Sequence, residues 1–225
     1  AAKFRYASGG RHRVPLVILS FVARKPGEGV QHSQSLQSVF AHFPGIKVGM
    51  PATSYDVKGM LLTAIADDDP VIILEHRGLF EQACLVPQHY YTTAYQARLV
   101  QAAGEDLTIV AVSAAVINAI EASNQLEMKG IRSEVIDLRW IRPLDSELII
   151  KSVSKTKRLL VVDTGWKMFG VGSEVVALVC EAVGNLKSLP RRIGLPDIPC
   201  PASHHLEKFY HPSTEDIVKT AIQMF

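Results

Sequence analysis

The chain contains 225 residues, of which 48% are hydrophobic and 20% are charged, a composition typical of a globular protein with one large or two small domains. Its 24 basic and 22 acidic residues are mixed along the sequence and leave a net charge of +2, which argues against nucleic acid or an anionic membrane as a partner. Three widely spaced cysteines favour reduced thiols over disulfides, and no apolar run reaches the roughly 20 residues that span a bilayer, so we expect a soluble, cytoplasmic protein.

The first part of the chain alternates between helical and extended patterns. The sequence AAKFRYA has the pattern of a final helical turn without an initiator methionine or N-cap, which predicts a chain that is cut short. The apolar run at 14–23 predicts a strand buried on both faces of a parallel sheet. Further strands are predicted at 46–52 and 70–76, and helical patterns at 33–43 and 54–69. We expect Ser54 to be the N-cap of the second helix and Val57, Leu61, Ala64 and Ile65 to share one face.

Residues 77–95 have no stable periodicity and are predicted to connect two domains. Beyond them strands are predicted at 97–102, 106–113, 133–139, 158–165 and 190–196. Helices are predicted at 114–130, 145–156, 173–186 and 213–225. The third of these aligns Val175, Leu178, Val179, Ala182 and Leu186, and the last opens with a capping box of Ser213 and Asp216. The alternation of strands and helices predicts an α/β fold.

His32 lies in a glycine-broken loop between a predicted strand and a predicted helix. This is the edge of the sheet at which α/β proteins place ligands. The neighbouring Gln31, Ser33 and Gln34 could fix the tautomer of the imidazole, and a helix N-terminus beside it would keep the ring neutral. From position alone, both a functional role and a solvated surface histidine stay open.

Four other stretches carry polar residues that merit comparison. In ADDDP at 66–70, consecutive aspartates cannot all face one ion, although carbonyl oxygens of the turn could hold a cation. In HHLEKFYHP at 204–212 the adjacent histidines diverge and no thiolate completes a zinc set. The glycines of FGVGSE at 169–174 either expose N–H groups to an anion or permit close packing. In IDLRWIRPLD at 136–145, ion pairing at a strand end is the simpler interpretation of Asp137, Arg139 and Arg142.

Several of these motifs occur together in the order and spacing of one family. They are GVQHSQSLQSVFAHFPGIKVGMPATSYDVKGMLLTAIADDDPVIILEH, EVIDLRWIRPLD, KTKRLLVVDTGW, FGVGSEVVALV and PDIPCP. The whole chain resembles the β subunit of the thiamine-diphosphate-dependent first component of 2-oxo acid dehydrogenase complexes. That group belongs to the transketolase superfamily and includes the pyruvate, branched-chain 2-oxo acid and acetoin enzymes.

The resemblance implies an architecture and a set of partners. Residues 1–80 would form the later part of a pyrimidine-binding domain, 81–95 a linker and 96–225 a transketolase C-terminal domain, with mostly parallel sheets and helices on both faces. The β chain would supply the pyrimidine side of the thiamine diphosphate site, and an α subunit the diphosphate and Mg²⁺ side. A second β chain would complete an α2β2 heterotetramer, which passes an acyl group from a 2-oxo acid to the lipoyl acyltransferase core. In a eukaryote the implied location is the mitochondrial matrix.

The resemblance also implies site residues. The active-site histidine of the H-S-Q motif falls on His32, which would hydrogen-bond or exchange protons with the substrate-derived intermediate. A structural K⁺ site built largely of main-chain oxygens falls on these positions: Leu16, Ala64, Ile65, Asp67 and Asp69.

Two features depart from the family pattern. The glutamate that protonates the aminopyrimidine ring, and the aromatic residue that stacks on it, lie in an N-terminal segment without a counterpart in this sequence. We therefore assign no cofactor-binding residue and expect the chain to be inactive alone. The loop before His32 contains Arg24, Lys25 and Pro26 where the family has small residues and glycines.

Two alternative functions remain open. One is a non-catalytic assembly or docking module for a partner subunit or the acyltransferase core, which the missing glutamate favours. The other is a fragment of a transketolase or deoxyxylulose-phosphate synthase relative, which shares the C-terminal fold but does not predict the H-S-Q context. In each case we expect exposed sheet edges and apolar surface to promote self-association or partner binding.

Overall fold

The computed structural model describes residues 1–23 and 27–225, and within them the strands form two sheets. The strands are β1 (Val17–Val22), β2 (Lys47–Gly49), β3 (Val71–His76), β4 (Arg98–Gln101), β5 (Leu107–Ala111), β6 (Ser133–Asp137), β7 (Trp140–Arg142), β8 (Leu159–Trp166) and β9 (Arg191–Leu195). The first sheet has the spatial order β1-β3-β2-β7 and the second β4-β6-β5-β8-β9. Only the pairs β2–β7 and β4–β6 are antiparallel, so the described sheets are mostly parallel, as expected.

Most helices overlap predicted ones, but two do not: Gly29–His32 is helical where a loop was predicted, and no helix was predicted at His204–Glu207. The helices are α1 (Phe4–Ala7), α2 (Gly29–His32), α3 (Gln37–Ala41), α4 (Ser54–Ile65), α5 (Ala115–Glu127), α6 (Ser146–Thr156), α7 (Val171–Ala182), α8 (His204–Glu207) and α9 (Thr214–Ile222), with a 3-10 turn at Arg77–Leu79. The capping box of Ser213 and Asp216 is confirmed. The N-cap of α4 is Thr53 rather than Ser54, because Thr53 is extended and its hydroxyl accepts a hydrogen bond from the Asp56 N–H. None of the helices in the described chain is long and apolar enough to cross a membrane.

The second sheet is covered by helices on both faces. On one face α5 and α9 bury Ala119, Leu126 and Ile217 against strand residues such as Ile109 and Leu160. On the other face α6 and α7 contribute Ile149, Val153, Val175 and Val179 to a second apolar cluster. That cluster also contains first-sheet residues, including Val48 and Leu74, so the two sheets share part of one core.

Three predicted burial patterns are wrong in detail. β1 is an edge strand whose residues 18–21 are exposed, because it pairs only with β3 within the described chain. On α4 the buried apolar side chains are Met60 and Ala64, which pack on β3, whereas Ile65 is 61% exposed. The helix α7 buries Val175 and Val179 and ends at Ala182, which is exposed; Leu178 and Leu186 are half-buried against the same cluster, with Leu186 beyond the end of the helix.

Strand β7 was not predicted and joins the two sheets. After the strand predicted at 133–139, residues Trp140–Arg142 leave the second sheet and pair antiparallel with β2, with Gly49 opposite Trp140. Trp140 is fully buried against Met60 and Ile73 and donates its indole N–H to the Ala94 carbonyl at 3.1 Å. The chain therefore crosses from one sheet to the other through a buried tryptophan.

Buried charges surround this crossing. The Arg139 guanidinium lies 3.4 Å from the Asp56 carboxylate of α4, and the Arg139 backbone N–H donates to Asp137 at 3.0 Å. Arg142 donates instead to the Ala41 carbonyl at 3.0 Å, so ion pairing was predicted correctly only for Arg139. Burial, reinforced by the charge of Asp56, raises the pKa of Asp137 from 3.8 to about 7.

The raised pKa predicts how stability depends on pH. Between about pH 4 and 7 the folded protein binds more protons at Asp137 than the unfolded chain, so this residue lowers the free energy of unfolding as pH rises, by up to ~1.4 kcal/mol per pH unit. Asp137→Asn cannot titrate, and its unfolding free energy should fall less steeply over this range. Denaturant unfolding at a series of pH values measures both slopes. Asp197→Asn, at an exposed position, is the control; equal slopes for Asp137→Asn and wild type would contradict the assignment.

Candidate functional site

His32 is the exposed last residue of α2, in the connection that follows β1. Helix α2 begins at Gly29, which has φ of +68° and whose added Cβ would lie 3.4 Å from the Ala202 Cβ. A side chain at this position would be strained, so the glycine permits the turn that precedes the histidine. The unusual residues Arg24, Lys25 and Pro26 lie outside the described residues.

The start of this segment is held against the C-terminal half of the chain. The Gly27 N–H donates to the carboxylate of buried Glu207 at 3.2 Å. Glu28 forms an ion pair with Arg77 at 2.7 Å, which fixes the segment to the turn after β3. Just beyond the end of β1, the Ala23 N–H donates to the Gln34 carbonyl at 3.0 Å.

The other end of the segment contacts β8. The side chains of Ser33, Ser35 and Gln37 are buried, while the intervening Gln34 and Leu36 are exposed. The Gln37 amide donates to the Asp163 carboxylate at 3.0 Å, across 126 residues of sequence. We name residues 27–37 the histidine segment; buried carboxylates of the C-terminal half contact it at both ends.

Asp163 is buried and its carboxylate is bound by neutral donors. Besides Gln37, the N–H groups of Gly165 and Val171 donate to it at 3.0 and 3.1 Å. Burial raises the pKa of Asp163, and these hydrogen bonds partly offset the effect. Val171 is the first residue of α7, so its N–H is one of the free donors at the start of this helix. The anion that it binds is the Asp163 carboxylate of the protein itself. An added Cβ on Gly170 would lie 2.1 Å from the Trp166 carbonyl oxygen, so close packing also requires glycine there.

Of the residues expected to hold K⁺, Ala64 and Ile65 end α4, Asp67 and Asp69 lie in the loop between α4 and β3, and Leu16 directly precedes β1. The carbonyls of Leu16 and Ala64 accept hydrogen bonds from Val71 and Asp67, whereas the carbonyls of Ile65, Asp67 and Asp69 accept none within the described chain. Carbonyl oxygens with free lone pairs are suitable ligands for a hard cation. The loop therefore fits a main-chain cation site, with Leu16 on the adjoining end of β1.

The side chains of this loop are already paired. Lys47 contacts the carboxylates of Asp67 and Asp69 at 2.8 and 3.2 Å, and Arg5 contacts Asp69 at 2.9 Å. Burial alone would raise the pKa of Asp67, but hydrogen bonds from Lys47 and Tyr95 outweigh it and lower the pKa. The aspartates therefore contribute charge to the loop while their main-chain oxygens remain available.

No zinc site occurs among the histidines near the C-terminus. His204 lies 3.9 Å from Glu207, but within the described residues no three His, Cys, Asp or Glu side chains are arranged to hold a metal ion.

Comparison with known proteins identifies the family. Residues 1–82 match the model of the transketolase pyrimidine binding domain, and residues 96–217 match that of the transketolase C-terminal domain. The β subunit of pyruvate dehydrogenase E1 from Bacillus subtilis is 40% identical over 227 aligned residues, covering 98% of this chain and 68% of that protein. This chain belongs to the transketolase-like E1 β-subunit family. The resemblance seen in the sequence is confirmed, whereas the exact domain boundaries stay a prediction.

Other similar proteins extend the comparison. The β subunit of acetoin:2,6-dichlorophenolindophenol oxidoreductase from Cupriavidus necator is 39% identical over 98% of this E1 β-family chain. The chain covers 66% of that relative's length, slightly less than two thirds. A solved structure titled split gene transketolase, inactive beta4 tetramer, superposes with a TM-score of 0.78 over 94% of this chain and 67% of that one, at 21% identity. At that identity the likeness confirms the fold alone.

Three buried residues of the site were not predicted as part of it. Asp163 ends the apolar run LLVV in β8, and a charged residue at the carboxyl end of a buried strand is a signal that sequence reasoning could have used. Gln37 and Glu207 offer no such signal, since each is one polar residue in a short helix. Their partners lie more than 100 residues away, so only the tertiary structure brings them to the histidine segment.

The packing at Gly170 predicts a stability difference between two glycines. Gly170→Ala places a methyl group against the Trp166 carbonyl and should lower the free energy of unfolding by about 2 kcal/mol or more. Gly184→Ala is the matched control, because an added Cβ meets nothing within 4 Å there, and it should change stability by less than about 0.5 kcal/mol. Chemical denaturation of both variants measures the difference; equal effects would refute the close approach.

Proposed function

We propose that this chain is the β-subunit portion of a thiamine-diphosphate-dependent 2-oxo acid dehydrogenase that decarboxylates a 2-oxo acid and transfers the acyl group to a lipoyl domain. The observation that carries the proposal is the collinear similarity to E1 β subunits over 98% of the chain, with the H-S-Q motif retained at residues 32–34. The chain alone is proposed to be inactive, since no described residue is assigned to the aminopyrimidine ring.

His32 is the proposed catalytic residue of this chain. Thiamine diphosphate, when bound, supplies the ylid that makes decarboxylation possible. The described residues fit the substrate side of such a site: His32 is exposed, and the segment that carries it is held at both ends. From this position the imidazole would hydrogen-bond the reacting group and exchange a proton through a ring nitrogen.

The remaining components would come from other chains. We propose an α subunit that holds the diphosphate and Mg²⁺, a second β chain, and a lipoyl acyltransferase core that accepts the acyl group. The exposed edge of β1 and the apolar side chains beside it, such as Phe21 and Phe80, are consistent with burial in a larger assembly.

The loop between α4 and β3 is proposed to bind K⁺ through main-chain oxygens. The carbonyls of Ile65, Asp67 and Asp69 support this assignment, with Ala64 and Leu16 at its margin. The ion would stabilise the loop and take no part in the chemistry.

His32→Ala tests the catalytic role. In the complete gene product combined with its α subunit, the substitution should lower kcat for 2-oxo acid decarboxylation by about 100-fold to 10,000-fold, the usual contribution of proton transfer by a side chain. His12→Ala, an exposed histidine of the same chain, is the control and should retain wild-type kcat. A His32→Ala rate within threefold of wild type would remove this residue from the mechanism.

The K⁺ proposal is tested by stability rather than activity. An ion that binds only the folded protein stabilises it by about 2.7 kcal/mol at a concentration 100 times its Kd. The unfolding temperature should therefore be higher in KCl than in the same concentration of choline chloride, by roughly 5 to 11 °C for a chain of this size. Identical unfolding temperatures in the two salts would exclude the site.

A non-catalytic docking module is the second candidate, and the exposed edge strand β1 favours it. This function predicts that the complete gene product binds its α subunit while the assembled complex shows no decarboxylation. Measured turnover by that complex would rule it out.

A further inference from the structure

We propose that Gln37 and Asp163 are positioning residues for His32, through a hydrogen bond that fixes the histidine segment to the C-terminal half of the chain. The inference rests on the proposed function, and it adds two residues that touch neither substrate nor cofactor. Gln37 lies at the first turn of α3, and Asp163 lies in β8 next to the start of α7.

The Gln37 side chain is the attachment point of its end of the histidine segment. Of the three buried polar side chains there, only Gln37 has a hydrogen-bond partner within the described chain; the hydroxyls of Ser33 and Ser35 have none. The bond to Asp163 joins a donor amide to a carboxylate, which is stronger than a bond between two neutral groups. Loss of this contact therefore loosens the carboxyl end of the segment, where the Ala23 N–H still donates to the Gln34 carbonyl at 3.0 Å.

The acceptor is rigid. Two backbone N–H groups, of Gly165 and Val171, bind the carboxylate, so its position is fixed by β8 and α7 rather than by a mobile side chain. A side chain at position 165 would displace the Gln37 amide, because an added Cβ would lie 2.4 Å from its nitrogen, so glycine is required there for this hydrogen bond. At the other end, Glu207 binds the Gly27 N–H. The exposed imidazole is thus carried on a short segment with two fixed ends.

Charged neighbours do not set this contact. On the adjoining elements His32, His42, Lys167 and Glu174 are exposed, while half-buried Arg142 and Arg192 donate to the carbonyls of Ala41 and Lys167, each at 3.0 Å. Burial raises the pKa of Asp163, and hydrogen bonds from neutral donors oppose that rise. A carboxylate introduced at position 37 would therefore be the main charge acting on Asp163.

Two substitutions of Gln37 separate positioning from general stability. Gln37→Met keeps the length of the side chain but cannot donate, and it should lower kcat of the complete α–β complex by about tenfold or more at every pH, with little change in KM, because the histidine is misplaced. Gln37→Glu places a carboxylate against Asp163, and two such groups bond only when they share a proton. The kcat of Gln37→Glu should approach the wild-type value at low pH. It should then fall as the pH rises, over a pH range in which the wild-type kcat does not fall.

Hydrogen exchange provides a readout independent of activity. In Gln37→Met the amides of residues 27–36 should exchange faster, while those of β5 keep wild-type protection and report that the fold is intact. Gln223→Glu repeats the charge change at an exposed position and should leave kcat, its pH dependence and exchange unchanged.

The outcomes distinguish this inference from the proposed function. If Gln37→Met and Gln37→Glu keep wild-type kcat, pH profile and exchange while His32→Ala is inactive, the positioning role is wrong and the catalytic role stands. If Gln37→Met accelerates exchange of the histidine segment while His32→Ala is fully active, the attachment is real but the proposed function of His32 fails. A tenfold loss of kcat together with faster local exchange supports both.

Discussion

The antiparallel pairing of β7 with β2 is the contact on which the rest of the fold depends. It places Trp140 of the second half of the chain inside the core of the first sheet, opposite Gly49. An added Cβ on Gly49 would lie 2.8 Å from the Trp140 ring, so the glycine is required for this approach. Because the sheets share a core, the segment after β1 and the strand β8 are held at a defined separation. The contacts around His32 follow from this one crossing.

Buried carboxylates recur wherever the two halves meet, and they are satisfied in different ways. Asp56 pairs with the Arg139 guanidinium, whereas Asp163 relies on amide donors and the start of α7. A buried charge left without partners would cost several kcal/mol, so each of these groups restricts how the halves can be arranged. Burial raises the pKa of Asp137, which shares its surroundings with Asp56, and also that of Asp163. The interface is thus specified by polar geometry as well as by apolar burial.

Periodicity predicted the α/β class and eight of the strands in the described chain, because long apolar runs such as the one in β8 have few alternative structures. It could not predict β7, since three residues after a turn carry too little pattern and their pairing partner lies about 90 residues away. The exposure of β1 was missed for a related reason: an apolar strand has the same pattern whether another chain or another strand covers it. His32 was found through its motif, whereas Gln37, Asp163 and Glu207 depend on long-range contacts that no local pattern encodes.

The polar contacts of the molecule differ in how they respond to ionic strength. The pairs that Arg5, Arg13 and Lys47 form with the 66–69 loop are partly exposed, and mobile ions screen them once the Debye length falls to about 3 Å near 1 M salt, similar to their N–O distances. The carboxylate of Asp163 is out of reach of those ions, and its partners are dipoles rather than charges. Concentrated salt would therefore loosen the far end of the first sheet while the histidine segment stays attached, so the two regions belong to separate electrostatic regimes within one small chain.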